Sequence, residues 1–93
     1  MNEIKFQNAV VRKGYNPAVS KSWEAKHFND VHSHDIDFFL YIQQGELVIG
    51  LEHEEGLTAK VLLPGDSLEV LAGITHYESV GDEGVSFLVA QKV

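Results

Sequence analysis

Turn chemistry recurs at short intervals along this chain, and that punctuation restricts it to short elements more firmly than any other feature. Arg12-Lys13-Gly14-Tyr15-Asn16-Pro17, Asn29-Asp30, Gly45, His53-Glu54-Glu55-Gly56, Pro64-Gly65-Asp66, Ala72-Gly73 and Gly81-Asp82-Glu83-Gly84 each break the pattern. The runs between them are rich in β-formers. Ile4 to Val11 reads as a first strand. Ala18 to Phe28 places Trp23, Ala25 and His27 opposite Ser22, Glu24 and Lys26, the period of a half-buried strand, with a short helix as the alternative. Val31 to Gln43 reads as a long central strand, after which Gly45 resets the chain and Leu47 to Leu51 runs back antiparallel. Leu57–Leu63, Leu68–Leu71, His76–Val80 and Val85–Ala90 complete the set. About eight short strands, with no convincing 3.6-residue apolar pattern, predict an all-β fold, a barrel or jelly-roll sandwich.

The 93 residues, 44% of them hydrophobic, suit one compact domain over 1–93. A domain of this size often draws extra stability from oligomerisation or a bound metal. The absence of cysteine excludes disulfides, zinc-thiolate sites and thiol nucleophiles. The opening Met1-Asn2-Glu3-Ile4-Lys5-Phe6 lacks the apolar run of a secretory signal, and no apolar run reaches membrane-spanning length, so a soluble, cytoplasmic protein without membrane attachment is expected. Fourteen acids against seven bases, a formal charge of −7, argue against nucleic acid as a partner.

The chemistry concentrates in two stretches. His32-Ser33-His34 stands directly before the apolar run Phe38-Phe39-Leu40-Tyr41-Ile42, and on a strand two side chains at i, i+2 point to one face. Neutral imidazoles so placed chelate divalent metals, though two ligands make a weak site. The second stretch, Pro64-Gly65-Asp66 through Gly73 to His76, delivers another imidazole.

His32-Ser33-His34 with Gly45, followed by Pro64-Gly65-Asp66, Gly73 and His76, resembles the two motifs of the cupin superfamily, over Val31 to about Val80. The first has the form HxH, a few residues, Glu, six residues, Gly; the second is PG, five residues, PxGxxH. The resemblance implies a double-stranded β-helix, that is, a jelly-roll β-barrel. It also implies that His32, His34 and His76 hold one divalent ion, iron, nickel, manganese or zinc, inside the barrel. It does not select an activity, since cupins include oxygenases, isomerases, decarboxylases, lyases, storage proteins and sensing domains.

The chain departs from the motifs at two places. Counting back from Gly45 puts Phe38 where the Glu ligand belongs, and strand parity points Phe38 and Leu40 into the same interior as the His pair, as pocket walls. Asp37, given a bulge that flips the register, and Glu78, two residues past His76 on its face, are the weak substitutes. Leu71 stands where the second motif has Pro, which alters turn rigidity and leaves the ligand set intact. Asp66 reads as a turn residue, His27 as a hydrogen-bonded structural residue and His53 as exposed among glutamates. Acid–base candidates are limited to His27, Tyr77 and Glu78, and no cluster of Lys or Arg lies near the His residues, although Lys26 and Lys60 could approach from other strands.

Two functional readings follow. The first is a small metal-dependent cupin enzyme acting on a small, partly apolar molecule at a three-His centre, which without a carboxylate remains a stronger Lewis acid. The second is a metal-free module that binds or senses a small ligand, favoured by Phe38. A structural role through an apolar outer face is a third. Phe39 and Tyr41 lie on the face opposite the His pair, where they need cover from the N-terminal segment or from a second subunit, and the latter makes a homodimer the expected assembly.

Overall fold

A computed structural model describes residues 1–92. Helix α1 (Glu3–Arg12) is followed by six strands: β1 (Val19–Trp23), β2 (Phe28–His32), β3 (Asp37–His53), β4 (Gly56–Leu62), β5 (Ser67–Val70) and β6 (His76–Lys92). All pairings are antiparallel.

The architecture turns on β3 and β6, two strands of 17 residues that pair with each other along their lengths. The first half of β3 (Phe38–Tyr41) pairs with β5 on one side and with the end of β6 on the other, and β1 lies beyond β6. The second half of β3 (Leu47–His53) pairs with β4 and with the start of β6, which in turn carries β2. The result is two four-stranded halves, β1-β6-β3-β5 and β2-β6-β3-β4, joined by the strands they share. This is the predicted jelly roll, folded on itself around Ile42, Leu47, Ile49, Val80, Val85, Phe87 and their neighbours.

Gly45 and Gly81–Gly84 do not terminate strands, as turn chemistry alone suggests; they bend strands that continue. The β3–β6 register shifts between Ile42 and Gln44 and again between Gly45 and Leu47, the signature of bulges. Gly45 (φ +84°) and Gly84 (φ +78°) meet back to back at this corner, where a Cβ on Gly45 would run into the Gly84 carbonyl oxygen. Likewise Asn29-Asp30 lies inside β2 and makes no turn; the break falls after His32, so the expected strand Val31–Gln43 is divided between β2 and β3.

The N-terminal segment corrects a second expectation, since Ile4–Val11 is helical. Its pattern holds the reason: Phe6, Ala9 and Val10, spaced i, i+3, i+4, form one apolar stripe and are all buried. Asn2 caps the helix by accepting from the Lys5 amide at 2.9 Å. Gly14 (φ +80°) ends it, with the Gly14 amide donating to the Val11 carbonyl and the Tyr15 amide to the Val10 carbonyl, a Schellman closure. The stripe covers Phe39, Tyr41, Leu88 and Ala90 on the outer face of the sheet. The Phe6 ring is tilted against Phe39 at a centroid distance of 4.7 Å and stacks on Tyr41 at 5.3 Å. Of the two covers expected for this aromatic face, the chain itself supplies one, and no second subunit is required there. Among the described residues no helix is long and apolar enough to cross a membrane.

Candidate metal centre

His32 and His76 are cross-strand partners on β2 and β6, so the sheet register itself brings them face to face, with ring centroids 4.3 Å apart. His34 arrives differently. It lies in the loop between β2 and β3, and its carbonyl accepts from the Gly73 amide at 2.9 Å, which ties this loop to the turn that launches β6. A loop held by a backbone hydrogen bond, and not the strand alternation expected from the i, i+2 spacing, aims His34 at the other two rings. One ring nitrogen from each of His32, His34 and His76 lies within 4.8 Å of the others, a group able to hold a metal ion.

Backbone carbonyls orient two of the rings. His32 Nδ1 donates to the Asp30 carbonyl at 2.6 Å, and His76 Nδ1 donates to the Ile74 carbonyl at 2.9 Å. A carbonyl only accepts, so the proton of each neutral ring sits on Nδ1 and the Nε2 lone pair faces the cluster, the tautomer a metal ligand needs. Burial, then the neighbouring His32 and His76, push the His34 pKa below the usual imidazole range and favour its neutral form.

The three rings line a cavity of about 580 Å³ inside the jelly roll. Phe38 and Leu40 form part of its wall, as strand parity predicts, joined by Ile49 and Phe87. The Phe38 ring lies 4.7 Å from the His34 ring. Lys21 is the cationic side chain among the described lining residues, with Gln91 as a further polar one; neither stands out in the sequence, although Lys21 shares a face with Trp23 by simple alternation. Glu78 also lines the cavity and is 7% exposed, against 4% for His76. Its Oε1 is 3.5 Å from His32 Nε2 and its Oε2 3.8 Å from His76 Nε2. The i, i+2 spacing to His76 was the available signal, outweighed by the general tendency of acids to be solvated.

The other candidates fall away from the cluster. Asp37 Oδ1 accepts from the Ala72 amide at 2.7 Å and serves the β5–β6 turn. Asp66 Oδ2 accepts from the Leu63 amide at 2.8 Å, the expected turn role. His27 Nε2 donates to Asn29 Oδ1 at 3.0 Å and packs on Trp23, as a structural histidine does. Tyr77 alternates away from His76 and Glu78 and lies over Gly50, where a Cβ would collide with its ring. His53 is exposed at the β3–β4 hairpin, and Lys26 and Lys60 do not line the cavity.

No protein-family model matches the chain, and no curated protein matches it by sequence. Solved structures do. A Bacillus subtilis oxalate decarboxylase variant superimposes with a TM-score of 0.72 at 20% identity, over 81% of this chain and 20% of its own. The Lactobacillus farciminis oxalate decarboxylase, in a formate complex, gives a TM-score of 0.71 at 21% identity, over 81% of this chain and 22% of its own. A structure of Drosophila melanogaster CENP-C bound to CAL1 gives 0.70 at 16% identity, over 78% of this chain and 59% of the other. The B. subtilis enzyme is described as having Mn(II) centres. This chain spans about a fifth of the length of the decarboxylases it matches. The likeness establishes the cupin fold.

Proposed function

We propose that this protein is a small metal-dependent cupin in which His32, His34 and His76 hold a divalent ion at the cavity and that it acts there on a small, partly apolar molecule. The observation that carries this reading is the orientation of His32 and His76: each commits Nδ1 to a backbone carbonyl and turns Nε2 toward a cluster also reached by His34. Hydrogen-bonded orientation of this kind is characteristic of ligating imidazoles. When bound, the ion would supply Lewis acidity or, with a redox-active metal, activation of dioxygen. Phe38, Leu40, Ile49 and Phe87 would exclude water around the substrate, while the Lys21 ammonium and the Gln91 amide offer contacts to its polar end. Manganese has additional support from the Mn(II) centres of a structural neighbour.

The test is elemental analysis of protein purified without an affinity tag. Near-stoichiometric manganese, iron, nickel or zinc is expected in the wild type and less than a tenth of it in a His32→Ala/His34→Ala variant. Equal metal content in the two proteins would sink the three-His centre.

A second reading, a binding module without metal or catalysis, draws on Phe38 at the carboxylate position of the first motif and on the CENP-C structure, where the same fold occurs in a complex named for a protein partner. Wild-type protein that takes up none of the four ions after reconstitution would favour it.

A further inference from the structure

We infer that Glu78 is the fourth protein donor of the His32/His34/His76 centre, so that the carboxylate lacking at Phe38 is supplied by β6. The inference rests on the metal-binding reading above and specifies its ligand set.

Glu78 and His76 occupy alternate positions on β6, which sends both side chains into the cavity, and both are more than nine-tenths buried. A buried carboxylate normally gathers hydrogen-bond donors or a firm ion pair. Glu78 departs from this: among the described residues its Oε2 is shielded from solvent with no hydrogen-bond partner. Two imidazole Nε2 atoms face it, that of His32 at 3.5 Å from Oε1 and that of His76 at 3.8 Å from Oε2, long for hydrogen bonds. With both Nδ1 atoms donating to carbonyls, each ring in its neutral form turns a lone pair toward Glu78. Two imidazole lone pairs and a carboxylate this close repel one another until a proton or a metal ion joins them.

Position 38 cannot meet the same need, since the Phe38 ring packs on His34 and has no donor atom. The substitution at Phe38 and the buried Glu78 are therefore complementary: the carboxylate leaves β3 and reappears on β6, two residues beyond the last histidine. A carboxylate with three imidazoles favours manganese, iron or zinc over softer ions, and lowers the net charge of the loaded site by one relative to three histidines alone.

Titration calorimetry of the full chain with Mn(II) and with Zn(II) tests this, comparing wild type with Glu78→Gln and His76→Ala. The wild type should bind one equivalent, His76→Ala none, and Glu78→Gln should bind about 10- to 100-fold more weakly or worse, since even outer-shell partners of metal ligands reach that range. Without metal, Glu78→Gln should melt at or above the wild-type temperature, because the unpartnered carboxylate is gone. Wild-type affinity in Glu78→Gln, with His76→Ala inactive in binding, would overturn Glu78 as a ligand and leave the three histidines standing. A wild type that binds neither ion would overturn the three-His reading itself. Should Glu78→Gln not fold, Glu78→Asp carries the test: it keeps the charge and shortens the reach, so a direct ligand loses affinity by at least about tenfold, whereas unchanged affinity would show that only the charge matters.

Discussion

Glu69 shows how single side chains hold the frame on which the centre is built. Its Oε1 accepts from Lys13 Nζ at 2.7 Å and its Oε2 from the Tyr15 hydroxyl at 2.8 Å, so one carboxylate on β5 clamps the end of α1. The Lys13 hydrogen bond, with that of Tyr15, outweighs desolvation and holds the Glu69 pKa below the usual carboxylate range. Burial, then the bond to Glu69, pushes the Tyr15 phenol well above its ordinary value. The signs follow from linkage. A lowered carboxylate pKa contributes stability that is present above the ordinary Glu value and is lost as pH falls through the lowered one. A raised phenol pKa contributes stability that is present below the ordinary Tyr value and is lost as pH rises toward the raised one. Melting curves should therefore show Glu69→Gln below wild type at pH 7, with the gap closing as pH is taken from 5 to 3, in the acid range of carboxylates. A gap of constant size across that range would mean that the Glu69 charge plays no part in the clamp.

At the level of elements, α1 and the cavity lie on opposite faces of the same strand. Phe39 and Tyr41 of β3 point outward beneath α1, while Phe38 and Leu40 point into the cavity. Alternation on β3 thus separates a face packed under the helix from a face that lines the cavity. Phe6, fully buried between α1 and the sheet, anchors the helix, and Phe6→Ala should cost about 3–5 kcal/mol in urea unfolding. Metal affinity measured on the folded fraction should stay within twofold of wild type. A large loss of affinity would mean that the helix sets the spacing of the histidines, and a negligible loss of stability would mean that the outer aromatic face does not need its cover.

Across the whole molecule, β3 and β6 each serve both halves of the jelly roll, so the corner where they bend decides whether the two halves enclose a cavity at all. Gly45 at φ +84° sits so close to the Gly84 carbonyl that a Cβ there would collide with it. Gly45→Ala should destabilise by about 2–4 kcal/mol, a left-handed backbone penalty plus a steric one, and near-neutral stability in denaturant titration would refute this account of the bend. Much of the molecule could be read directly from the chain. Short β-segments on alternating apolar patterns, His32, His34 and His76 at cupin-like spacing, and the inward parity of Phe38 and Leu40 are local properties, set by the period of a strand and the chemistry of imidazole. Helix α1 was legible too, in the Phe6, Ala9, Val10 stripe, the Asn2 cap and the Gly14 stop, but three apolar residues in a row of β-formers also suit a strand, and only the presence of Phe39 and Tyr41 across from them makes the helix the better burial. Gly45 and Gly84 look like turns in sequence and are bends in space, because a glycine's freedom is the same in both and only the partner strand determines whether pairing resumes beyond it. Glu78 is the clearest case. Its spacing from His76 gives it the face of that histidine, but its burial beside both His32 and His76 arises from the register of β2 on β6, a relation between residues more than forty positions apart.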